Sequence, residues 1–335
     1  MRPVAAAFLF LLSASLLPAQ GTTVRITVHG KSLEGNLSGD PADRPVTVYL
    51  PPGYAKNPAK RYPVLYLLHG FTDSDEKWMG FRKHFINVPE VANRAIAAAE
   101  SRELIIVMPN AFNRFQGSMY SASAVNGDWE TFIASDLVAY IDSHYRTLAT
   151  PASRGLAGHS MGGYGAIRIA MKRPGVFSSV YSMSPCCLLP AANTASAPKA
   201  EAIRSSEEIE KADFGTKAAL ASAAAWSPNP KNPPLFIDLP TKNGEPQPAV
   251  LARWAANAPV AMADQYLVQL RQLKALAIDM GDKDRLMSGA KELSRIFTDN
   301  GLAHSFSTYD GDHVNNVSTR VEHHVLPFFS KNLIF

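Results

Sequence analysis

The sequence predicts an α/β fold, in which helices cover both faces of a mostly parallel, doubly wound β-sheet. Short apolar runs alternate with helical stretches along most of the chain, which is the pattern of such a sheet. The composition is globular, with 46% apolar and 19% charged residues among 335, so the chain can bury the core of one large domain. The carboxyl ends of parallel strands share one edge, where functional residues are expected.

The first segment, residues 1–20, is typical of a secretory signal peptide. Arg2 gives a positive start, an apolar stretch runs from Val4 to Leu17, and small residues lie near Ala19. The stretch is too short for a membrane-spanning helix, and no later stretch reaches about 18 unbroken apolar residues. A buried first helix is the alternative. We expect a secreted or periplasmic protein without stable membrane insertion.

The predicted strands are short apolar runs separated by helical stretches. They cover residues 46–50, 63–69, 104–108, 154–158, 178–184, 275–280 and 305–310. Helices are predicted over 88–100 and 128–145, after residue 160, and near the C-terminus.

One long segment interrupts this alternation. Residues 186–272 are rich in Ala, Ser and Pro but contain helical pieces at 251–257 and 260–275. The segment follows a predicted strand end. We therefore interpret it as an insertion in a domain of residues 21–335, with a role as a cap or a wall of the substrate site.

A serine lies where a predicted strand meets a predicted helix. Gly158, Ser160 and Gly162 have the spacing G-x-S-x-G, in which a sharp turn presents the serine hydroxyl above the sheet edge. The small glycines leave room for that turn. An ordinary tight turn is the alternative, but the flanking strand and helix favour a nucleophile at Ser160.

An acid and a histidine follow the next two predicted strands. Asp282 and Asp284 both come after the strand at 275–280, and His313 comes after the strand at 305–310. A serine nucleophile needs a base, and the base needs a carboxylate partner. The chain has nine histidines. His159 adjoins the serine and cannot readily turn back onto its hydroxyl, and apart from His313 none of the others lies in a loop that follows a predicted strand after Ser160.

Backbone N–H groups are the expected donors to the oxyanion that forms during acyl transfer. One is the N–H of Met161, directly after the nucleophile. The other belongs to the loop after the strand at 63–69, where Gly70 lets the backbone turn and would direct the Phe71 N–H inward. A plain turn glycine is the alternative for Gly70.

Composition and charge argue against several other classes of protein. The net charge is +4, but the basic residues are scattered, so no nucleic-acid or membrane patch is expected. Cys186 and Cys187 are neighbours, and their Cα spacing of about 3.8 Å is below the usual disulfide range of about 4.4 to 6.8 Å. No Cys/His pairs stand at metal spacing, so neither a metal nor a cofactor is expected.

Several motifs together resemble the putative-esterase family of α/β-hydrolases. They are VTVYLPPGY (46–54), RYPVLYLLHGFTDSDEKW (61–78), GHSMGGYGA (158–166), IDMGDKDRL (278–286) and the late GDH. The family includes esterase D (S-formylglutathione hydrolase), feruloyl esterases, enterochelin esterases and antigen 85 mycolyltransferases. The resemblance covers roughly residues 40 to 335, least well over 186–272, and implies an α/β-hydrolase fold.

The resemblance also implies roles for individual residues. Ser160 matches the nucleophile, Asp284 the acid of the G-x-x-D pattern and His313 the base, while Met161 and Phe71 match the oxyanion donors. The family histidine often follows two glycines. Here Asp312 precedes it instead, which adds a carboxylate beside the base.

The predicted function is a serine carboxylic-ester hydrolase that forms an acyl-enzyme on a small-molecule or polymer-linked ester, with feruloyl, acetyl or other carbohydrate-linked esters as candidates. Aromatic rings in residues 110–130, Trp129 foremost, either line the substrate cleft or pack locally. The alternatives are acyl transfer to a sugar hydroxyl, a thioesterase, and a binding protein with a disabled site. The oligomeric state is left open.

Overall fold

The computed structural model describes residues 20–190 and 196–335, so the predicted signal peptide lies outside the described residues except for Gln20. The strands are β1 (Thr22–His29), β2 (Asp43–Leu50), β3 (Val64–Leu68), β4 (Ile105–Pro109), β5 (Ala122–Ser123), β6 (Gly127–Asp128), β7 (Arg154–His159), β8 (Ser179–Met183), β9 (Thr241–Lys242), β10 (Glu245–Pro246), β11 (Ala275–Gly281) and β12 (Ser305–Tyr309). Eight of them form one sheet in the order β1-β2-β4-β3-β7-β8-β11-β12. The remaining four pair as two short ladders, β5 with β6 and β9 with β10.

Helices fill most of the connections between the strands. They are α1 (Gly53–Lys56), α2 (Asp75–Trp78), α3 (Val88–Ala97), α4 (Trp129–Thr131), α5 (Leu137–His144), α6 (Met161–Lys172), α7 (Ala197–Ala202), α8 (Ser206–Lys211), α9 (Phe214–Trp226), α10 (Pro248–Ala255), α11 (Pro259–Met262), α12 (Leu267–Leu270), α13 (Met287–Asp299), α14 (Val317–Arg320) and α15 (Leu326–Asn332). A π-helical turn joins α4 to α5, and another joins α14 to α15. Among the described residues, no helix is long and apolar enough to cross a membrane.

The central strands are continuous apolar runs because both faces of the sheet are covered. Every residue of β3 and β4 is buried. In β3, Val64, Tyr66 and Leu68 face α5, α6 and the segment that follows β8, whereas Leu65 and Leu67 face α3, α14 and α15. The predicted strands are therefore present in a mostly parallel sheet, and helices cover both of its faces, as predicted.

The edges of the sheet differ from its centre. At one edge β2 runs antiparallel to both β1 and β4, and β1 was not among the predicted strands. β1 is largely exposed, so it lacks the apolar run by which the central strands were recognised. β12 forms the other edge, and its side chains are also largely exposed.

The segment between β8 and β11 forms a helical layer on α6. It contains α7 to α12 and the β9–β10 ladder. The Tyr164 hydroxyl of α6 donates to the carbonyl of Asn257 at 3.0 Å, and Trp226 packs between Tyr164 and Trp254 with ring centroids 5.6 Å from each. The segment thus shares one core with the sheet.

Candidate active site

Ser160 lies on a strained turn between β7 and α6. Its φ of 55° and ψ of −112° are uncommon for a residue with a side chain. A Cβ on Gly158 would overlap the backbone of Gly162, and a Cβ on Gly162 would overlap the carbonyl of Leu68. The two glycines therefore allow the close approach that the G-x-S-x-G spacing predicts.

The structure brings Ser160, His313 and Asp284 into one hydrogen-bonded row. His313 Nε2 lies 2.9 Å from Ser160 Oγ, and His313 Nδ1 lies 2.6 Å from Asp284 Oδ2. An ionised carboxylate only accepts hydrogen bonds, so Nδ1 carries the proton and Nε2 accepts from the serine. This is the arrangement in which an imidazole can remove the serine proton.

The Asp284 carboxylate is fully buried, while the His313 side chain is about one-third exposed. Burial raises the pKa of Asp284, but hydrogen bonds from His313 and from the Leu286 N–H outweigh it, so the pKa lies below its usual value. Asp284 is therefore ionised at neutral pH. It can orient the imidazole and stabilise the imidazolium.

Two loops meet to place Asp284 beside His313. A Cβ on Gly281 would overlap the carbonyl of Gly311, so the loops after β11 and β12 run in direct contact. Asp282 Oδ1 accepts from the Gly311 N–H at 3.1 Å, and the Lys283 N–H donates to the Gly311 carbonyl at 2.9 Å. Asp282 therefore links the two loops, and Asp284 contacts the histidine.

The extra carboxylate of Asp312 is engaged by its own loop. Its side chain is exposed and accepts from the N–H groups of Val314 and Asn315 at 2.8 and 2.9 Å. These two hydrogen bonds lower the pKa of Asp312. Asp312 thus closes the turn that contains His313.

The loop after β3 passes directly beside the nucleophile. A Cβ built on Gly70 would lie 3.6 Å from Ser160 Cβ. His69 is buried and bridges the Gly70 carbonyl at 2.8 Å and the Ala111 N–H at 2.9 Å, so its Nδ1 donates and its Nε2 accepts. These contacts hold the backbone that leads into Phe71.

The Phe71 ring and the Met161 side chain both pack against Gly117. A Cβ on Gly117 would lie 2.6 Å from the Phe71 ring and 2.8 Å from Met161 Sδ, so both side chains press on that glycine. The ring of Phe214, from the segment after β8, meets Phe71 edge-on with centroids 5.6 Å apart. Phe214 is 55% exposed, so this ring pair reaches the surface of the protein.

Cys186 and Cys187 are free thiols in the structure. The Cys187 thiol donates to Cys186 Sγ at 2.8 Å, and the Cys186 N–H donates to the Ser160 carbonyl at 3.2 Å. The hydrogen bond from Cys187, together with burial, raises the pKa of Cys186. Cys186 therefore borders the nucleophile turn as a neutral thiol.

Trp129 is not brought to this group of residues. Its side chain is 1% exposed, its Nε1 donates to the Asn126 carbonyl at 3.0 Å, and its ring packs against Tyr120 and Phe132. Arg44 covers the ring with a cation–π contact. This is the local packing that the sequence also allowed, and it leaves the ring no surface for a substrate.

Other residues near the site were not assigned a role from the sequence. His159 contacts His313, and Asp73 accepts from Trp78 Nε1 at 2.9 Å and pairs with His84 at 3.3 Å. The Thr72 N–H donates to the Gln116 carbonyl at 3.0 Å, which anchors the loop after β3. The only sequence signal for His159 was its position next to Ser160.

Comparisons with known proteins find esterases among the proteins similar to this chain. A family model described as "Putative esterase" matches residues 41–317. An esterase of Mycobacterium tuberculosis is 37% identical over 141 residues, which are 42% of this chain and 28% of that protein. An endo-1,4-beta-xylanase/feruloyl esterase of Xylanibacter ruminicola is 33% identical over 135 residues, which are 39% of this chain and 18% of that protein. The chain thus matches less than a third of either relative's length.

The solved structure of a ferulic acid esterase resembles this chain along nearly its whole length. It is 25% identical with a TM-score of 0.67, and the match covers 94% of this chain and 99% of that one. This likeness confirms the predicted α/β-hydrolase fold. With the family model covering residues 41–317 as well, the chain belongs to the putative esterase family of α/β-hydrolases.

Proposed function

We propose that this protein is a serine carboxylic-ester hydrolase. The observation that carries the proposal is the continuous row from Asp284 Oδ2 through His313 to Ser160 Oγ, with distances of 2.6 and 2.9 Å. Membership of the putative esterase family and likeness to a ferulic acid esterase support the same reaction class.

In acylation, His313 Nε2 takes the proton from Ser160 as Oγ attacks the ester carbonyl carbon. The resulting imidazolium faces the ionised Asp284, and it then gives its proton to the leaving alcohol as the carbon–oxygen bond breaks. In deacylation, His313 removes a proton from water as the water oxygen attacks the acyl-enzyme carbonyl carbon. The imidazolium then gives this proton to Ser160 Oγ as the bond between the acyl carbon and Oγ breaks, which releases the carboxylic acid and restores Ser160 and neutral His313.

The N–H groups of Phe71 and Met161 are the proposed donors to the oxyanion. Both lie beside Ser160, one after Gly70 and the other at the first residue of α6. Fixed N–H groups of this kind stabilise the negative charge that develops on the carbonyl oxygen, and losing one such donor typically costs about 10²–10³-fold in rate.

The proposed substrates are carbohydrate-linked esters with an aromatic acyl group. Support comes from the ferulic acid esterase structure, the xylanase/feruloyl esterase relative, and the ring pair of Phe71 and Phe214, in which Phe71 follows Gly70 in the loop that passes Ser160. An aromatic acid can stack edge-on or offset against such rings. Secretion, proposed from residues 1–20, fits a polymer-linked substrate.

The test is hydrolysis of p-nitrophenyl esters, acetate to long chain, and of methyl ferulate by the full chain and its Ser160→Ala variant. We expect Ser160→Ala to lower kcat at least about 10³-fold while the melting temperature stays near wild type. A fluorophosphonate probe should label wild type and not the variant. Undiminished hydrolysis by Ser160→Ala would remove Ser160 as the nucleophile. Wild-type preference for added glycerol or a sugar over water as acceptor would favour acyl transfer.

A further inference from the structure

We infer that His159 is a positioning residue for the catalytic base, holding the backbone of His313 beside the nucleophile turn. The inference rests on the proposed Ser160–His313–Asp284 mechanism and adds a fourth side chain to it. The His159 side chain is not part of the proton pathway, because its ring contacts neither Ser160 Oγ nor Asp284 through any hydrogen bond given by the structure.

The contact between the two histidines is direct. His159 Nε2 lies 2.8 Å from the carbonyl oxygen of His313. Because a carbonyl only accepts, Nε2 must carry the proton. The two rings also pack together, with centroids 4.9 Å apart and planes at 48°.

The surroundings of His159 hold its ring in one place. The residue is 3% exposed, and its ring packs against Trp78 and Phe85 with centroids 5.8 and 6.1 Å away. A Cβ on Gly70 would lie 3.4 Å from His159 Nδ1. The ring therefore fills the space between these aromatic side chains, the loop after β3 and the base.

A neutral His159 suits this role. Its Nδ1 has no hydrogen-bond partner among the described residues, which is tolerable for a lone pair and costly for a buried N–H⁺. Burial lowers the pKa of His159 to about 4, and the nearby His313 acts in the same direction. His159 therefore remains a neutral donor when His313 becomes an imidazolium, and no second positive charge opposes that step.

The contact matters because His313 lies in an irregular loop between β12 and α14. Its side chain is held by Asp284 in the loop after β11, and its backbone by His159 at the end of β7. His159 is also the chain neighbour of Ser160. The hydrogen bond thus links the nucleophile turn directly to the loop of the base, which fixes the 2.9 Å spacing between Oγ and Nε2.

The test compares three substitutions of His159, which differ in whether the side chain has a hydrogen-bond donor and how far that donor reaches. In His159→Gln, the side-chain amide nitrogen reaches about the position of the imidazole Nε2, in His159→Asn it falls one methylene short, and His159→Leu has no donor. We expect kcat for p-nitrophenyl acetate to fall about 10–100-fold in the Leu and Asn variants, with KM within about twofold, because the base is misplaced while the substrate site is intact. His159→Gln should stay within about threefold of wild type.

Controls separate this role from a general loss of packing. His304→Leu is the matched control, because His304 also bonds a backbone carbonyl, that of Leu302 at 2.9 Å, but at the opposite end of β12. Its kcat should match wild type. The rate of fluorophosphonate labelling should follow kcat across the His159 variants, and melting temperatures identify any variant that does not fold.

The outcomes are distinct. A folded His159→Leu with wild-type kcat, or equal losses in the Gln and Asn variants, overturns the inference. If His159→Leu does not fold, the Gln and Asn pair decides. Loss of activity in Ser160→Ala together with unchanged His159 variants rejects only this inference, whereas an active Ser160→Ala rejects the proposed function itself.

Discussion

At the scale of single residues, two carboxylates of the same loop make different contacts. Asp284 accepts from His313 and from the Leu286 N–H, whereas Asp282 accepts from the Gly311 N–H. Their side chains point to different neighbours although the residues are two positions apart. The geometry therefore favours Asp284 as the acid that orients the base.

The first prediction compares the amide variants of these two carboxylates. Asp284→Asn should lower kcat about 10²–10⁴-fold, because an amide group facing His313 Nδ1 favours the wrong tautomer. Asp282→Asn keeps an oxygen for the Gly311 N–H, so its kcat should stay within about threefold. Steady-state hydrolysis of p-nitrophenyl acetate at pH 7 measures both. Equal losses, or a larger loss in Asp282→Asn, would contradict the assignment.

At the scale of elements, the loop that connects β3 to α2 passes beside Ser160 and carries a buried carboxylate. Asp73 lies in this loop and is bonded by Trp78, His84 and Lys77. Burial raises the pKa of Asp73, but the hydrogen bonds from His84 and Trp78 outweigh it and lower the pKa from 3.8 to about 2. The ionised carboxylate is therefore stabilised by folding.

The second prediction follows from the sign of that shift. A carboxyl whose pKa is lower in the folded state contributes stability above its unfolded pKa and loses it as the pH falls toward its folded pKa. Asp73→Asn should therefore lower the free energy of unfolding by about 2 kcal/mol at pH 6, and this difference should shrink between pH 4 and pH 2. Urea unfolding of both proteins across this range measures it. A difference that is constant with pH would show that ionisation of Asp73 does not stabilise the fold.

At the scale of the whole molecule, a buried ion pair joins the C-terminal helices to the sheet. Arg320 Nε of α14 donates to Asp279 Oδ2 of β11 at 2.8 Å, and the Tyr181 hydroxyl of β8 donates to the same oxygen at 2.8 Å. The Asp279 side chain is fully buried and that of Arg320 is 9% exposed. This contact connects α14 to two neighbouring strands on the side of the sheet opposite α6.

The third prediction concerns that ion pair. Arg320→Met leaves a buried carboxylate without its cation, so the free energy of unfolding should fall by about 3–5 kcal/mol. Adding Asp279→Asn removes the stranded charge, and the double variant should recover part of the loss. Urea unfolding of the wild type, both single variants and the double variant measures this coupling. A loss below about 1 kcal/mol in Arg320→Met would contradict a stabilising role for the pair.

The sequence by itself determined the features that depend on local chain geometry. The apolar runs predicted the central strands, and the G-x-S-x-G spacing predicted a turn at Ser160 that only closely approaching glycines permit. The order of the serine, acid and histidine along the chain predicted that His313 and an aspartate would meet at one sheet edge. These patterns are local or follow directly from the direction of parallel strands.

Only the tertiary structure decided the features that depend on which loops meet. It placed the Asp284 carboxylate against His313, where spacing along the chain had left Asp282 open and only the family resemblance had implied Asp284. It also turned His159 onto the carbonyl of His313 and buried Trp129 in the core. It also added the exposed edge strand β1, which has no continuous apolar run. The physical reason is that side-chain direction and burial are set by contacts between segments far apart in the chain, and residue type and spacing do not specify those contacts.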